Sequence, residues 1–72
     1  MNTVQAMQAQ RAKRLADLYR WGKAAIPSEE LFQTIAFNQL VNRAMGQYSV
    51  TEQTATNYAT TVLNKLRREA PV

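Results

Sequence analysis

The helix that decides this fold opens with the stretch Val50-Thr51-Glu52-Gln53-Thr54-Ala55-Thr56-Asn57-Tyr58, in a chain of 72 residues. Two residues compete to cap it. Thr51 can accept a hydrogen bond from a free backbone amide of the first turn, whereas Ser49 with Glu52 fits a capping box. We prefer Thr51, because Val50 is then the buried residue that staples the turn. The helix is therefore predicted from Thr51 or Glu52 to about Glu69.

The rest of this third helix has one continuous apolar face. Its apolar residues recur at spacings of three and four, which is typical of a helix that packs one side against a core. They are Ala55, Tyr58, Ala59, Val62, Leu63 and Leu66. The end of the helix carries Lys65, Arg67 and Arg68, whose positive charges complement the helix dipole. The opposite, polar side is expected to face solvent.

A second helix is predicted from Glu29 to Met45. It follows a start signal at Pro27 and Ser28, where the Ser28 hydroxyl can cap free amides and two glutamates favour the helix dipole. Its predicted buried face consists of Leu31, Phe32, Ile35, Ala36, Leu40, Val41 and Ala44. Phe37 lies off this face and either packs against the first helix or is exposed. Gly46 suits the helix end, which leaves a turn of four residues, 47–50, before the next helix.

The first helix is predicted from about Thr3 to Lys23. Its clearest apolar stripe is formed by Leu15, Leu18 and Tyr19. The Gln-rich stretch 5–10 offers few groups for burial, so residues 1–10 are expected to be frayed or to be ordered by a dimer partner. Gly22 and then Pro27 are expected to end the helix, because glycine tolerates a left-handed cap and proline disfavours helical geometry in the residue before it.

These three segments predict an all-α protein. No segment alternates polar and apolar residues with the period of two that a half-buried strand shows, so neither a sheet nor the β-wing of a winged helix is expected. The predicted architecture is a three-helix bundle in which residues 1–72 form a single domain. A chain this short buries only about 60% of the surface of its unfolded form, so its core is thin. A homodimer would bury further surface and add stability.

The composition argues against catalysis. The chain has no cysteine and no histidine, which removes disulfides, the commonest zinc ligand sets and the usual nucleophile and base pairs. The neighbouring carboxylates of Glu29 and Glu30 diverge by about 100° on a helix instead of converging on a substrate. The only glycines, Gly22 and Gly46, form no phosphate-binding loop. We therefore predict no enzyme activity, no metal and no cofactor.

Charge and hydropathy favour a polyanionic partner. The net charge is +4 and the pI is about 10.0. Residues 1–27 alone carry a net +4, from Arg11, Lys13, Arg14, Arg20 and Lys23 against Asp17. No run of about 18 apolar residues is present, and residues 1–10 are too polar for a secretory signal. The expectation is a soluble, cytoplasmic protein attracted to polyanions.

The order of residue types from Val50 to Tyr58 resembles a known family. The order is an apolar residue, a Ser or Thr cap, two variable positions, Thr, a small apolar residue, two variable positions and Tyr. This order is similar to the start of the second helix in helix-turn-helix DNA-binding domains. The resemblance covers roughly residues 28–69. It implies a tri-helical helix-turn-helix fold and double-stranded DNA as partner. It also implies that Thr54 contacts a phosphate and that Gln53, Thr56 and Asn57 lie nearest the bases.

The residue types at these positions fit that chemistry. Gln53 and Asn57 carry amides that can pair bidentately with adenine, and threonine can contact a thymine methyl or a phosphate. The pattern departs from the family in two ways: the reading face has no Arg or Lys while Glu52 adds a negative charge, and the turn before the helix is long. A simpler interpretation is an ordinary helix start, with Gln53, Thr56 and Asn57 merely solvated.

The sequence thus leads to one hypothesis with one alternative. The hypothesis is a small DNA-binding protein, a transcriptional regulator or architectural factor, whose third helix docks in the major groove. The residues expected to hold the DNA backbone are Arg11, Lys13, Arg14, Arg20 and Lys23. Dimerisation is expected through the N-terminal segment and Trp21. The alternative is a helical adaptor that binds another protein through a surface containing Phe37, Met7 or Trp21.

Overall fold

The computed structural model describes residues 3–71 and shows an all-α arrangement of three helices, as predicted. The helices are α1 (Thr3–Ala25), α2 (Thr34–Tyr48) and α3 (Glu52–Glu69), with a short 3-10 turn at Ser28–Glu30. Within residues 3–71 there is no strand. Helices α1 and α3 run in the same direction, since Arg14 lies beside Tyr58 and Tyr19 beside Glu69. No helix in this part of the chain is both long and apolar enough to cross a bilayer.

Helix α3 begins as predicted. The Thr51 backbone is extended, with φ −67° and ψ 162°, and its hydroxyl accepts a hydrogen bond from the Thr54 amide at 3.3 Å. Thr51 is therefore the cap, and the alternative capping box from Ser49 to Glu52 is wrong. The predicted apolar face is also confirmed, because all six of its residues are buried. Local signals were sufficient here, since a cap and a periodic stripe both depend on residues a few positions apart.

The connection between α2 and α3 is shorter than predicted. Helix α2 continues through Gly46 to Tyr48, and Ser49 ends it in the left-handed conformation with φ 53°. The Ser49 amide donates to the Met45 carbonyl at 3.0 Å, which satisfies one of the free carbonyls of the last turn. The predicted helix end at Gly46 is thus wrong, because a serine took the position expected for glycine. The two helices are joined by only three residues, 49–51.

The start of α2 also differs from the prediction. Residues Ser28–Glu30 form only the 3-10 turn, and Gln33 is extended with φ −101° and ψ 156°, so the helix begins at Thr34 instead of Glu29. Within residues 3–71 the Ser28 side chain makes no hydrogen bond, and the cap position of the 3-10 turn is held by Pro27 instead of Ser28. The break has a tertiary cause. The Leu31 side chain is buried while its carbonyl accepts a hydrogen bond from Arg67 Nε at 2.6 Å, and a continuing helix would use that carbonyl.

This break changes which apolar residues of the second segment are buried. Leu31, Ala36, Leu40, Val41 and Ala44 are buried as predicted, but Phe32 and Ile35 are 67% and 46% exposed. Phe32 falls in the non-helical link, so helical spacing no longer holds it over the core. Ile35 lies about 100° around the helix from Ala36, on the side away from α1 and α3. Phe37, left open by the sequence, is half-buried and packs against the core.

Gly22 is a packing residue and not a helix end. Helix α1 continues past Gly22 and the predicted end at Lys23 to Ala25, so both predictions about its terminus are wrong. Gly22 is buried where α1 approaches the other helices, and a Cβ placed there would lie 3.1 Å from both Leu40 Cδ2 and Leu66 Cδ1. The absence of a side chain therefore allows the three helices to meet closely around the largest fully buried side chains, Leu18 and Leu40.

The first half of α1 extends along the surface. It is helical from Thr3, yet every residue from 3 to 13 is exposed, including Val4 at 58% and Met7 at 64%. The expectation of fraying or dimer-dependent order for residues 1–10 covers Met1 and Asn2, which lie outside the described residues. The bundle core is thus built from the second half of α1, from α2 and from α3.

The two glycines are expected to respond differently to alanine. A Cβ at Gly46 would have no atom of residues 3–71 within 4 Å, so Gly46→Ala should raise the free energy of unfolding by about 0.5–1 kcal/mol through helix propensity. Gly22→Ala gains the same propensity but forces two leucine side chains to move, so it should be clearly less stable than Gly46→Ala. Urea denaturation of both variants measures the difference. If Gly22→Ala were as stable as Gly46→Ala, this would contradict the close approach of two leucine side chains to Gly22.

Candidate nucleic-acid interface

The outer side of α3 carries a stripe of uncharged polar groups. The core residues of α3 occupy one side of the helix, and residues spaced by three and four on the other side are all exposed. They are Gln53, Asn57, Thr60, Asn64 and, at the far end, Arg68. The amide groups predicted at the start of α3 are therefore open to solvent, and the exposed polar stripe continues further along the helix than the sequence pattern indicated.

The four residues predicted to contact bases or phosphate divide into two pairs. Gln53 and Asn57 are exposed, and their side chains make no hydrogen bond within residues 3–71. Thr54 and Thr56 are half-buried. The Thr54 hydroxyl accepts a hydrogen bond from the Thr51 hydroxyl at 3.2 Å, so it takes part in the cap. The amides of Gln53 and Asn57 are thus the groups best placed to bind an external partner.

A shallow groove brings one basic residue of α1 to these groups. The groove has a volume of about 460 Å³ and is lined by Arg11, Thr54, Asn57, Tyr58, Thr60 and Thr61. Sequence analysis named Arg11, Thr54 and Asn57 separately, and the structure places them together. Thr60 and Thr61 were missed, although their positions three and four residues after Asn57 put them on the same side of the helix. We call this surface the Arg11 groove.

The remaining basic residues of α1 are placed elsewhere. The Arg14 guanidinium lies 5.3 Å from the centre of the Tyr48 ring and donates to the Tyr58 hydroxyl at 3.4 Å, so it is part of the packing. Arg20 pairs with Asp17. Lys23 lies over the Tyr19 ring at 5.8 Å. Lys13 is exposed but is two residues, about 200°, from Arg11 on the helix, so it points away from the Arg11 groove.

A second groove continues the first toward the far end of α3. It has a volume of about 490 Å³, a largely apolar floor and two basic residues at its rim. Its lining is Ala12, Leu15, Ala16, Tyr19, Arg20, Thr61, Val62 and Lys65. Thr61 lines both grooves, so the surface between α1 and α3 is continuous. Lys65 lies 4.5 Å from the centre of the Tyr19 ring. This surface therefore has Arg11 at one end and Arg20 and Lys65 at the other.

Tyrosines hold both ends of this surface. Near the start of α3, the Tyr48 hydroxyl donates to the Arg14 carbonyl at 3.1 Å, and the Tyr48 ring meets the Tyr58 ring edge-on at 6.3 Å between centroids. At the other end, Tyr19 donates to the Glu69 carboxylate, and that hydrogen bond raises the pKa of the Tyr19 phenol. The first set of contacts ties the α2–α3 turn to α1 and so fixes the start of α3 beside Arg11.

We expect Tyr48→Phe to lower the free energy of unfolding by about 0.5–1.5 kcal/mol at neutral pH, because the hydrogen bond from the Tyr48 hydroxyl to the Arg14 carbonyl is lost. Burial, and then the Asp17 charge, raise the pKa of Tyr48 above its ordinary value of 10.0. A pKa raised by folding contributes stability that is present below the unfolded value and is lost as pH rises through the folded value. As pH rises above about 10, the free energy of unfolding of Tyr48→Phe should therefore fall less than that of the wild type.

Thermal denaturation at neutral pH and at high pH measures both effects of Tyr48→Phe. Tyr19→Phe is the comparison at neutral pH, since it removes a hydrogen bond between exposed groups at the opposite end of the same surface and should cost less stability. A Tyr48→Phe variant as stable as the wild type at neutral pH would show that the hydrogen bond to the Arg14 carbonyl does not hold the turn.

The groups that line the two grooves offer hydrogen bonds and positive charge. Among residues 3–71, no group of three or more acidic side chains is arranged to hold a metal ion. The chain contains no histidine or cysteine. Comparison with protein families, with characterised proteins and with solved structures finds no match for this chain. Its function is therefore inferred from the arrangement of the groups themselves.

Proposed function

We propose that this protein binds double-stranded DNA through the first half of α3 and acts as a regulator of transcription or an architectural factor. The observation that carries the proposal is the Arg11 groove, which is lined both by a cation of α1 and by the exposed Asn57 of α3. DNA offers both required partners, phosphate oxygens for the guanidinium and base edges for the amide. This role places the protein in the cytoplasm with its DNA.

Base reading is assigned to Gln53 and Asn57. The major groove is about 12 Å wide and admits an α-helix, and Gln and Asn side chains can pair with adenine through two hydrogen bonds. Both amides are exposed and are not used within residues 3–71, so binding breaks no internal hydrogen bond. Thr54 and Thr56, being half-buried, are assigned to contacts at the edge of the groove and to phosphate. The three-residue turn before α3 suits the helix-turn-helix arrangement.

Phosphate binding is assigned along the surface between α1 and α3. Arg11 at one end and Arg20 and Lys65 at the other flank the polar stripe of α3, so a backbone following this surface meets a cation at both ends. Arg14 is not assigned to phosphate binding, because it is half-buried and its guanidinium packs on Tyr48 and Tyr58, whereas Arg20 and Lys65 are exposed. Lys13 and Lys23 contribute to the long-range positive potential instead of to this surface.

DNA binding is tested by fluorescence anisotropy with a random-sequence duplex at several salt concentrations. Binding should weaken with salt, because each phosphate that the protein neutralises releases a counterion. We expect Arg11→Gln to reduce the slope of log K against log salt by about 1. Lys13→Gln, which removes one charge on the other side of the same helix, should leave the slope nearly unchanged. Absence of binding at micromolar protein and low salt would overturn the proposal.

A protein-binding adaptor is the second candidate function, and the exposed apolar residues of the second segment favour it. Phe32 and Ile35 are 67% and 46% exposed, and Met7 on α1 is 64% exposed. Phe37 and Trp21 are half-buried and packed against the core, so these two are less suited to the role than the sequence indicated. Salt separates the two functions, since apolar contacts do not weaken steeply with added salt.

A further inference from the structure

The side of α2 that faces away from α1 and α3 has a regular pattern of its own. Ile35, Asn38, Asn42 and Met45 are all exposed, with Ile35 at 46% and Met45 at 37%. Their spacing of three, four and three residues is that of the contact positions in a coiled coil. We call these four residues the outer α2 face. None of their side chains makes a hydrogen bond within residues 3–71.

The outer α2 face carries no charge. The only charged residue of α2 is Arg43, and its guanidinium lies over the Trp21 ring at the α1 side. The exposed sides of the middle of α1 and of the end of α3 carry cations, among them Lys13, Lys65 and Arg68. Two copies of a chain with net charge +4 repel each other wherever such groups meet. The outer α2 face is therefore a helical surface on which two copies can meet without opposing like charges.

The order of residues on this face is self-complementary. When two identical helices pack antiparallel about a twofold axis, residue i of one helix faces residue j of the other. Residue j of the first helix then faces residue i of the second. An axis level with residue 40 sets Ile35 against the partner's Met45, and Asn38 against the partner's Asn42. Ile35 and Met45 then pack against each other at both ends of the interface. In the middle, the two pairs of Asn38 and Asn42 side chains can each donate and accept hydrogen bonds. Amides at such positions fix the register of a helix pair.

Gly46 provides a second, independent observation. It lies inside α2 with ordinary helical geometry, is exposed, and would have no atom of residues 3–71 within 4 Å of an added Cβ. Glycine weakens a helix relative to alanine, and nothing in the protomer requires it here. On the surface beside Met45, the missing side chain leaves room for the start of the partner's α2.

From these features we propose that the outer α2 face is a homodimer interface, in which α2 packs antiparallel against α2 of a second copy of this chain. A helix of 15 residues is about 22 Å long, so the contact is at the low end of interface size and the dimer should be reversible. The proposal goes beyond DNA binding and rests on none of the DNA contacts proposed above. It differs from the dimer contact expected from sequence, which was the N-terminal segment and Trp21.

The test is a charge exchange followed by sedimentation equilibrium of the full chain. Ile35→Glu and Met45→Lys should each weaken dimerisation at least about tenfold, because each places a charge against an apolar partner residue. The double variant should recover dimerisation, since each introduced carboxylate would then face an introduced ammonium group across the twofold axis. Each charge also suits its end of the helix dipole, so the protomer should stay folded, as circular dichroism will show. Met7→Lys is the control and should leave dimerisation unchanged.

The effect of salt on affinity distinguishes dimerisation from DNA binding. Added salt should strengthen the dimer, because it screens repulsion between two positive chains, whereas it weakens a protein–DNA complex. A chain that remains monomeric at all concentrations, single variants that dimerise normally, or a double variant that does not recover would each overturn the antiparallel α2 interface. A monomer that binds DNA would overturn only the dimer, and a dimer that binds no DNA would overturn only the proposed function.

Discussion

Replacing Leu40 with alanine should lower the free energy of unfolding by about 2–5 kcal/mol. Leu40 is completely buried in α2, where α1 crosses at Gly22, and truncation leaves a cavity that a small bundle cannot easily refill. A domain of this size is stabilised by only about 5–15 kcal/mol, so the loss is a large part of the total. Each kcal/mol should lower the melting temperature by about 4–8 °C. Denaturant and thermal unfolding measure both quantities, and Leu15→Ala, at a half-buried site, should cost less.

A double variant extends this prediction to the contact between α1 and α2. Because Leu40 Cδ2 would lie 3.1 Å from a Cβ at position 22, Leu40→Ala removes one of the two groups that crowd this site. Gly22→Ala should therefore be more favourable in the Leu40→Ala background than in the wild type, and the two effects should not add. Strict additivity of the two free-energy changes would show that the side chain of Leu40 does not limit the approach of α1.

The second large effect is expected at the DNA interface. Asn57→Ala should weaken a sequence-specific complex by roughly 1–3 kcal/mol, because it removes one bidentate base contact, while binding to random-sequence DNA stays nearly unchanged. The specific duplex is first selected from a random DNA pool, and affinities for both duplexes are then measured by anisotropy at one salt concentration. The result would assign base reading to the α3 residue that shares a groove with Arg11.

Asn64→Ala is the matched control for this prediction. Asn64 has the same side chain on the same exposed stripe, seven residues further along α3 and outside the Arg11 groove, so its removal should change neither affinity. Equal losses on specific and random DNA for Asn57→Ala would contradict base reading at this position. Equal losses for Asn57→Ala and Asn64→Ala would instead place the contact along the whole outer side of α3.

The candidate site was predicted in part. The exposed amides of Gln53 and Asn57 follow from periodicity, since they lie opposite the apolar stripe of α3. Which basic residue accompanies them could not be predicted, because Arg11, Lys13 and Arg14 lie within four positions of one helix and have similar chemistry. Their difference depends on the direction from which α3 and Tyr48 approach α1, and the packing alone places Arg14 on the tyrosines and Arg11 in the groove.

The sequence by itself determined the helical class, the Thr51 cap and the buried face of α3, because capping and periodicity involve residues within a few positions of one another. The tertiary structure decided where α2 begins and what Gly22 does. Gly22 lies inside α1, where the absence of a side chain lets Leu40 and Leu66 approach. Helix α2 begins only at Thr34, after a link in which the Leu31 carbonyl accepts a hydrogen bond from Arg67. Such contacts join residues far apart in the chain, so local preference cannot anticipate them.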